Sequence, residues 1–285
     1  MNRLTASFLA STMLFLAGPA SAEIKVVASI KPIHSLVAAV MEGISEPGLI
    51  VEGAGSPHTY ALKPSQAQKL ESADVVFWVG HDLEAFLEKP LETIGANARS
   101  VELINAHGLV TLAFREGGAF EKHGHDDEAG HDDHADEAEA GHRHEDETTA
   151  EAAHDHDHDH GDDHDKALEA GHDDHDHGKF DAHFWLDPEN AKVLVHEIEE
   201  TLVEADPSNA ASYKANAEAV TARLEGLIAE VSSQIEPVRG KGFIVFHDGY
   251  QYFENRFGIT ASGSITVSPE VLPGAERLTE IRARV

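Results

Sequence analysis

The sequence predicts an α/β protein of two lobes with parallel sheets, joined by one long helix. Three observations carry that expectation. Short β-branched runs alternate with helical patterns between Ile24 and Asn105, an apolar periodicity runs unbroken over 209–236, and a second strand–helix–strand pattern follows it. Strands separated by helical segments form βαβ units, whose crossovers align the strands in parallel.

Taken in order, 24–29 is a short β-branched strand, and Pro32 opens an apolar-periodic helix over 33–41. Residues 49–52 read as a second strand, followed by a Gly/Ser/Pro turn and a helix opening near Pro64 and Ser65. The continuous apolar run at 75–80 marks a buried strand, and 100–105 makes a fourth. A helix begins near Pro188 and breaks at Asp206-Pro207. In the long helix Tyr213, Ala217, Val220, Leu224, Leu227, Val231 and Ile235 recur at three and four residues. At 1.5 Å per residue it reaches about 40 Å, enough to bridge two lobes rigidly. Beyond it, 243–246 reads as a strand, Asp248-Gly249 as a turn into an aromatic helix, 259–267 as extended, and Pro273 as a helix start. With one or two strands after the long helix, the second lobe reads as incomplete and the chain as truncated.

Residues 121–179 are of another kind. They hold 14 of the 21 histidines, interleaved with 23 Asp and Glu and 4 Lys and Arg. Apolar content there is too low to offset ordering entropy, so the tract reads as a disordered insertion. It accounts for −19 of the formal net charge of −31, which leaves −12 for the rest. An acidic balance of this kind excludes nucleic acid and anionic membrane as partners and suits a cationic ligand. Imidazoles are common ligands for borderline divalent metals, and the acids raise cation concentration around them.

The chain opens with Arg3, an apolar stretch to Ala17, then Gly18-Pro19 and Ala20-Ser21-Ala22, the pattern of a cleavable export signal over 1–22. About 14 apolar residues are too few to span a bilayer, which needs roughly 20. No cysteine is present, so neither a lipid anchor nor a disulfide framework is expected, and the cores rest on burial. The resulting division is 1–22 signal, 23–120 first lobe, 121–179 insertion, 180–208 end of the first lobe, 209–236 linking helix and 237–285 second lobe.

Three histidines outside the tract sit at the ends of elements: His58 in G-S-P-H-T-Y, His183 in D-A-H-F-W-L-D-P and His247 in V-F-H-D-G-Y. Ligands in open α/β sheets bind at the carboxyl ends of strands, where His58 and His247 fall. Singly, each is more readily a hydrogen-bonded loop or core histidine; together they suit one cleft. His34, at the first strand-to-helix turn, is a weaker accessory candidate, with His154, His156, His158, His160, His172, His175 and His177 of the tract. His81 reads as an exposed turn residue, and Trp78 and Trp185 as core or cleft wall.

The segments G-A-G-S-P-H-T-Y-A-L-K-P-S from Gly53, D-A-H-F-W-L-D-P from Asp181 and V-F-H-D-G-Y-Q-Y-F-E from Val245 resemble the metal-binding solute receptors of ABC importers. The histidine-rich insertion is similar to that of their zinc-specific, ZnuA-type branch. The resemblance implies two α/β lobes joined by a rigid helix, Zn2+ held between them as transported ligand, and His58, His183 and His247 as its ligands. It implies a monomeric periplasmic receptor serving a membrane permease with its cytoplasmic ATPase, and a small periplasmic zinc chaperone as a further partner. Some zinc receptors carry a carboxylate just before the first histidine, where this chain has Pro57, so the fourth ligand is left to water or to a residue beyond Val285. Alternatives are a receptor for manganese or another divalent metal, a zinc store or buffer, and a zinc hydrolase. The last is disfavoured, since no H-E-x-x-H motif and no evident general base accompany the ligands, and no enzyme is expected.

Overall fold

The computed structural model describes residues 23–115, 180–266 and 273–284. The export signal and the histidine-rich insertion of the sequence reading lie outside the described residues, and with them the accessory histidines from His154 to His177.

The first sheet has four parallel strands, β1 (Val26–Ala28), β2 (Gly48–Leu49), β3 (Val75–Trp78) and β4 (Arg99–Glu102), in the order β2-β1-β3-β4. Between β1 and β2 runs α1 (Lys31–Val40), with Pro32 in its first turn and Ile33, Val37 and Val40 buried at helical spacing. β2 starts one residue before the expected 49–52. Pairing nonetheless extends past it, because Ile50 and Val51 donate to the carbonyls of Ala28 and Ser29 at 3.0 and 2.8 Å. The helices α2 (Pro64–Glu71) and α3 (His81–Thr93) flank β3. The expected strand at 100–105 ends at Glu102, where the chain tightens into a 3-10 turn over Leu103–Asn105. Because β2 and β3 lie on opposite sides of β1, the chain changes direction there and opens a crevice at the strands' carboxyl ends.

The sequence reading singled out no helix at 81–93. Pro90 sits inside α3, and Glu84 departs from helical geometry at φ −125°, ψ 45°, so the apolar period that marks a helix is interrupted. His81 is accordingly the first residue of a helix, with Nδ1 3.1 Å from Glu88, and not an exposed turn residue. Trp78 is buried in the core.

After α4 (Pro188–Ala205), the long helix α5 (Ala210–Ile235) has 26 residues. It packs along α4 and α1. Tyr213, Ala217 and Val220 are buried in the first lobe's core and Leu224 packs at its edge, whereas Leu227 is 43% exposed. The apolar stripe read from the sequence therefore outlasts the core beneath it. Asn216 fastens the packed half by donating to the carbonyls of Val40 and Glu42 at 2.9 Å, where α1 has run out of its own donors. The far half carries the chain on to the second lobe: β5 (Ile244–His247), α6 (Gln251–Phe257), β6 (Gly263–Thr266) and α7 (Ala275–Arg284), with β5 and β6 parallel. The lobes are not independent, since Tyr252 of α6 is buried in the first lobe's core.

Glu84 is buried beneath the carboxyl end of β3, where its carboxylate accepts from the amides of Val79 at 2.7 Å and Gly80 at 3.4 Å. Those bonds favour the ion, but burial disfavours it more strongly and pushes the pKa up to about 7. A folded-state pKa above the unfolded value stabilises the fold at low pH, and the contribution is lost as pH rises through about 7. Glu84→Gln, which mimics the protonated acid, should raise the thermal midpoint at pH 8 by more than at pH 5. Unfolding followed by circular dichroism at the two pH values checks this; an equal shift at both would remove Glu84 from the balance.

Candidate metal centre

His58, His183 and His247 come together. Each offers one ring nitrogen, and the three nitrogens lie within 4.8 Å of one another. Ring centroids are separated by 5.5 Å for His58 and His183, 6.3 Å for His58 and His247, and 5.3 Å for His183 and His247. Among the described residues no carboxylate joins the group.

The tightest approach is between the Nε2 atoms of His183 and His247, at 3.5 Å. Two nitrogens bound at 2.0–2.1 Å to one tetrahedral zinc stand about 3.3–3.4 Å apart, so this pair is already at ligand spacing. His58 is the exposed member and sits on the 3-10 turn Pro57–Thr59.

Local structure explains each placement. The loop carrying His58 is held by Gln66, at the start of α2, whose buried amide donates to the Ile50 carbonyl and the Tyr60 hydroxyl, both at 2.7 Å. Tyr60 in turn lies so close to Gly55 that a Cβ there would meet its ring at 2.6 Å. His183 is oriented by Asp181, which accepts from His183 Nδ1 at 2.7 Å and from its backbone amide at 3.0 Å. A carboxylate that accepts from Nδ1–H favours the tautomer with its lone pair on Nε2, the atom that faces His247. Asp181 is itself fixed, with its amide bonded to the Leu112 carbonyl and its carbonyl accepting from Tyr252. His247 ends β5, and the chain must then turn within two residues. A Cβ on Gly249 would fall 2.4 Å from His247 Nε2 and 3.1 Å from His183 Nε2. Only a residue without a side chain leaves room for the two imidazoles to converge.

A cavity of about 360 Å³ adjoins the histidines, walled by Ile30, Pro32, Val51 and Trp185, with Lys31 among its lining. His34 is not part of this site. It lies on α1 with Nε2 2.9 Å from the Pro47 carbonyl, which gives the ring a structural bond in place of a ligand role here. The three candidate ligands were readable from the sequence, whereas Asp181, Gly249 and Gln66 were not singled out there. Asp181, two residues before a candidate ligand, carried a readable signal, whereas the closeness of Gly249 to both rings appears only once β5 is placed beside residue 183.

Three neutral imidazoles with a shared spacing of this kind make a soft-to-borderline cation site and favour zinc over manganese, which prefers oxygen. Among the described residues no helix is long and apolar enough to cross a membrane.

Comparisons with known proteins agree with this chemistry. The family model described as zinc-uptake complex component A, periplasmic, matches residues 26–285. A high-affinity zinc uptake system protein from Brucella abortus is 49% identical, with 100% of this chain and 81% of the relative covered. One from Yersinia pestis is 36% identical, covering 98% and 77%. Among solved structures, a ZnuA crystal structure superposes with a TM-score of 0.62 at 21% identity, covering 90% of this chain and 76% of that one.

Gly249→Ala should weaken zinc binding by about 10-fold or more, while leaving the metal-free thermal midpoint within a few degrees, because the backbone at 249 needs no positive φ. Asp181→Asn should cost roughly 10–100-fold, the usual price of losing a ligand's hydrogen-bond partner. Zinc titration against a chelating indicator checks both; wild-type affinity in either variant would contradict the stated positioning.

Proposed function

The chain belongs to the zinc-uptake complex component A periplasmic family, and on that premise we propose that it captures Zn2+ with His58, His183 and His247 in the cleft between its lobes. It is a periplasmic transport receptor, not an enzyme, and it delivers zinc to an ABC transporter with its membrane permease and ATPase. The observation that carries the ligand assignment is the 3.5 Å approach of two imidazole nitrogens, one from each lobe's end of the chain, with the third imidazole beside them.

In this reading capture requires little rearrangement. His183 and His247 are pre-set, and the exposed His58 closes on the ion from its turn. Pre-organised ligands bind without the ordering cost that a flexible tract must meet. The histidine-rich insertion at 121–179 then serves as a second, weaker collector of zinc, and the chain acts as a monomer after its export signal at 1–22 is removed. A small periplasmic zinc chaperone is a further proposed partner. Because protons compete with zinc for each imidazole, affinity falls as pH falls.

Zinc stoichiometry and affinity, measured calorimetrically on the full chain, on a variant lacking 121–179 and on His58→Ala, His183→Ala and His247→Ala, test the assignment. The deletion should lower the number of ions bound and keep one tight site, while each alanine should weaken that site by at least 100-fold. Tight binding that disappears with the tract and survives the alanines would place the receptor site in the insertion.

A further inference from the structure

One buried ionic cluster stands behind the metal centre. Arg115 lies at the edge of the first lobe, next to Ala113, which bridges antiparallel to Phe180. Its guanidinium reaches across to the second lobe and takes two carboxylates together. Nε donates to Asp248 Oδ2 at 3.2 Å and Nη2 to Asp248 Oδ1, while Nη1 donates to Glu254 Oε2 at 2.7 Å and Nη2 to Glu254 Oε1 at 3.1 Å. The side chains of Asp248 and Glu254 are 6% and 4% exposed and that of Arg115 is 18%. Bidentate, largely desolvated pairs of this kind are directional and strong, and breaking one leaves a buried charge uncompensated.

Asp248 directly follows the ligand His247, and the Gly249 amide returns to the His247 carbonyl at 3.0 Å in the same turn. The other side of the same bridge leads into Asp181, whose amide bonds the Leu112 carbonyl and whose carboxylate orients His183. One isolated bridge at the edge of the first lobe thus lies beside both segments: Asp181, which orients His183, and Arg115, which binds Asp248, the residue after His247. We infer that Arg115 is a positioning residue for zinc capture, holding the His247–Gly249 turn so that the two Nε2 atoms stay at ligand spacing before the ion arrives. This rests on the three-histidine reading of the site. It also makes the Arg115 cluster a part of the interface that has to yield if the second lobe is to carry His247 away from His183.

The test uses the full chain with Co2+ as a spectroscopic stand-in for zinc, since tetrahedral cobalt has visible bands whose position and intensity follow ligand geometry. Arg115→Gln and Asp248→Asn are each measured for zinc affinity, zinc release into excess chelator and the cobalt spectrum, with His183→Ala as control. Both variants should lose about 10–100-fold in zinc affinity, mainly through faster release, and should shift the cobalt bands; the range is that of lost outer-shell partners. The double variant should cost little more than the worse single one, because the two residues act through one contact. If His183→Ala abolishes binding while Arg115→Gln and Asp248→Asn keep wild-type affinity and an unaltered cobalt spectrum, the positioning role is wrong and the site stands. If His183→Ala itself has no effect, the underlying site reading has failed instead. Should Arg115→Gln not fold, Asp248→Asn decides alone, because it removes one charge with almost no change of shape.

Discussion

Everything at the candidate metal centre depends on holding two imidazole nitrogens 3.5 Å apart, from residues 64 positions apart in the chain. That arrangement does not form by itself. The surrounding structure supplies the constraint: a carboxylate fixes one ring's tautomer and direction, a glycine clears the space between the rings, and a turn sets the second ring at the end of a strand. On the proposed assignment zinc meets a pair of nitrogens already at ligand spacing, and little ordering entropy remains to be lost on binding.

The fold makes this convergence possible because parallel sheets present their loops at one end. The crevice of the first sheet lies where β1 and β2 finish, and the cavity lining follows from that: Ile30 to Pro32 after β1, Val51 to His58 after β2, and His247 at the end of β5. Polar ties between the lobes cluster near the ligands. Arg256 donates two hydrogen bonds to the Asp187 carboxylate, at 2.6 and 2.7 Å, and Asp187 also caps α4 by accepting from the Glu189 amide. Tyr252 accepts from the Leu112 amide and donates to the Asp181 carbonyl. The second lobe is thus registered against the first by directional bonds at the site itself, while α5 supplies the covalent connection.

Much of this was legible in the sequence because burial imposes periodicity. The β-branched runs, the helix-opening prolines at 32, 64 and 188, and the heptad-like stripe of α5 each report a local constraint that the residues alone encode. The convergence of the three histidines was legible too, since each lies in a loop or at the end of an element within a distinctive motif. What was not legible depended on tertiary contact. α3 carries a proline and a non-helical residue that only packing tolerates, the outer half of α5 has an apolar stripe with little core against it, and Gly249 reads as an ordinary turn residue until the neighbouring ring is placed. His34, an accessory candidate by position, has one ring nitrogen 2.9 Å from the Pro47 carbonyl, a partner that its place in the sequence does not announce.

The most direct measurement is X-ray absorption at the zinc edge on the full chain loaded with one equivalent of zinc. Three imidazole nitrogens at 2.0–2.1 Å, with outer-ring scattering from three rings and one further light atom, is the result the account predicts. The same spectrum should persist when 121–179 is deleted. A first shell dominated by carboxylate oxygen, or outer scattering from one ring or none, would contradict it.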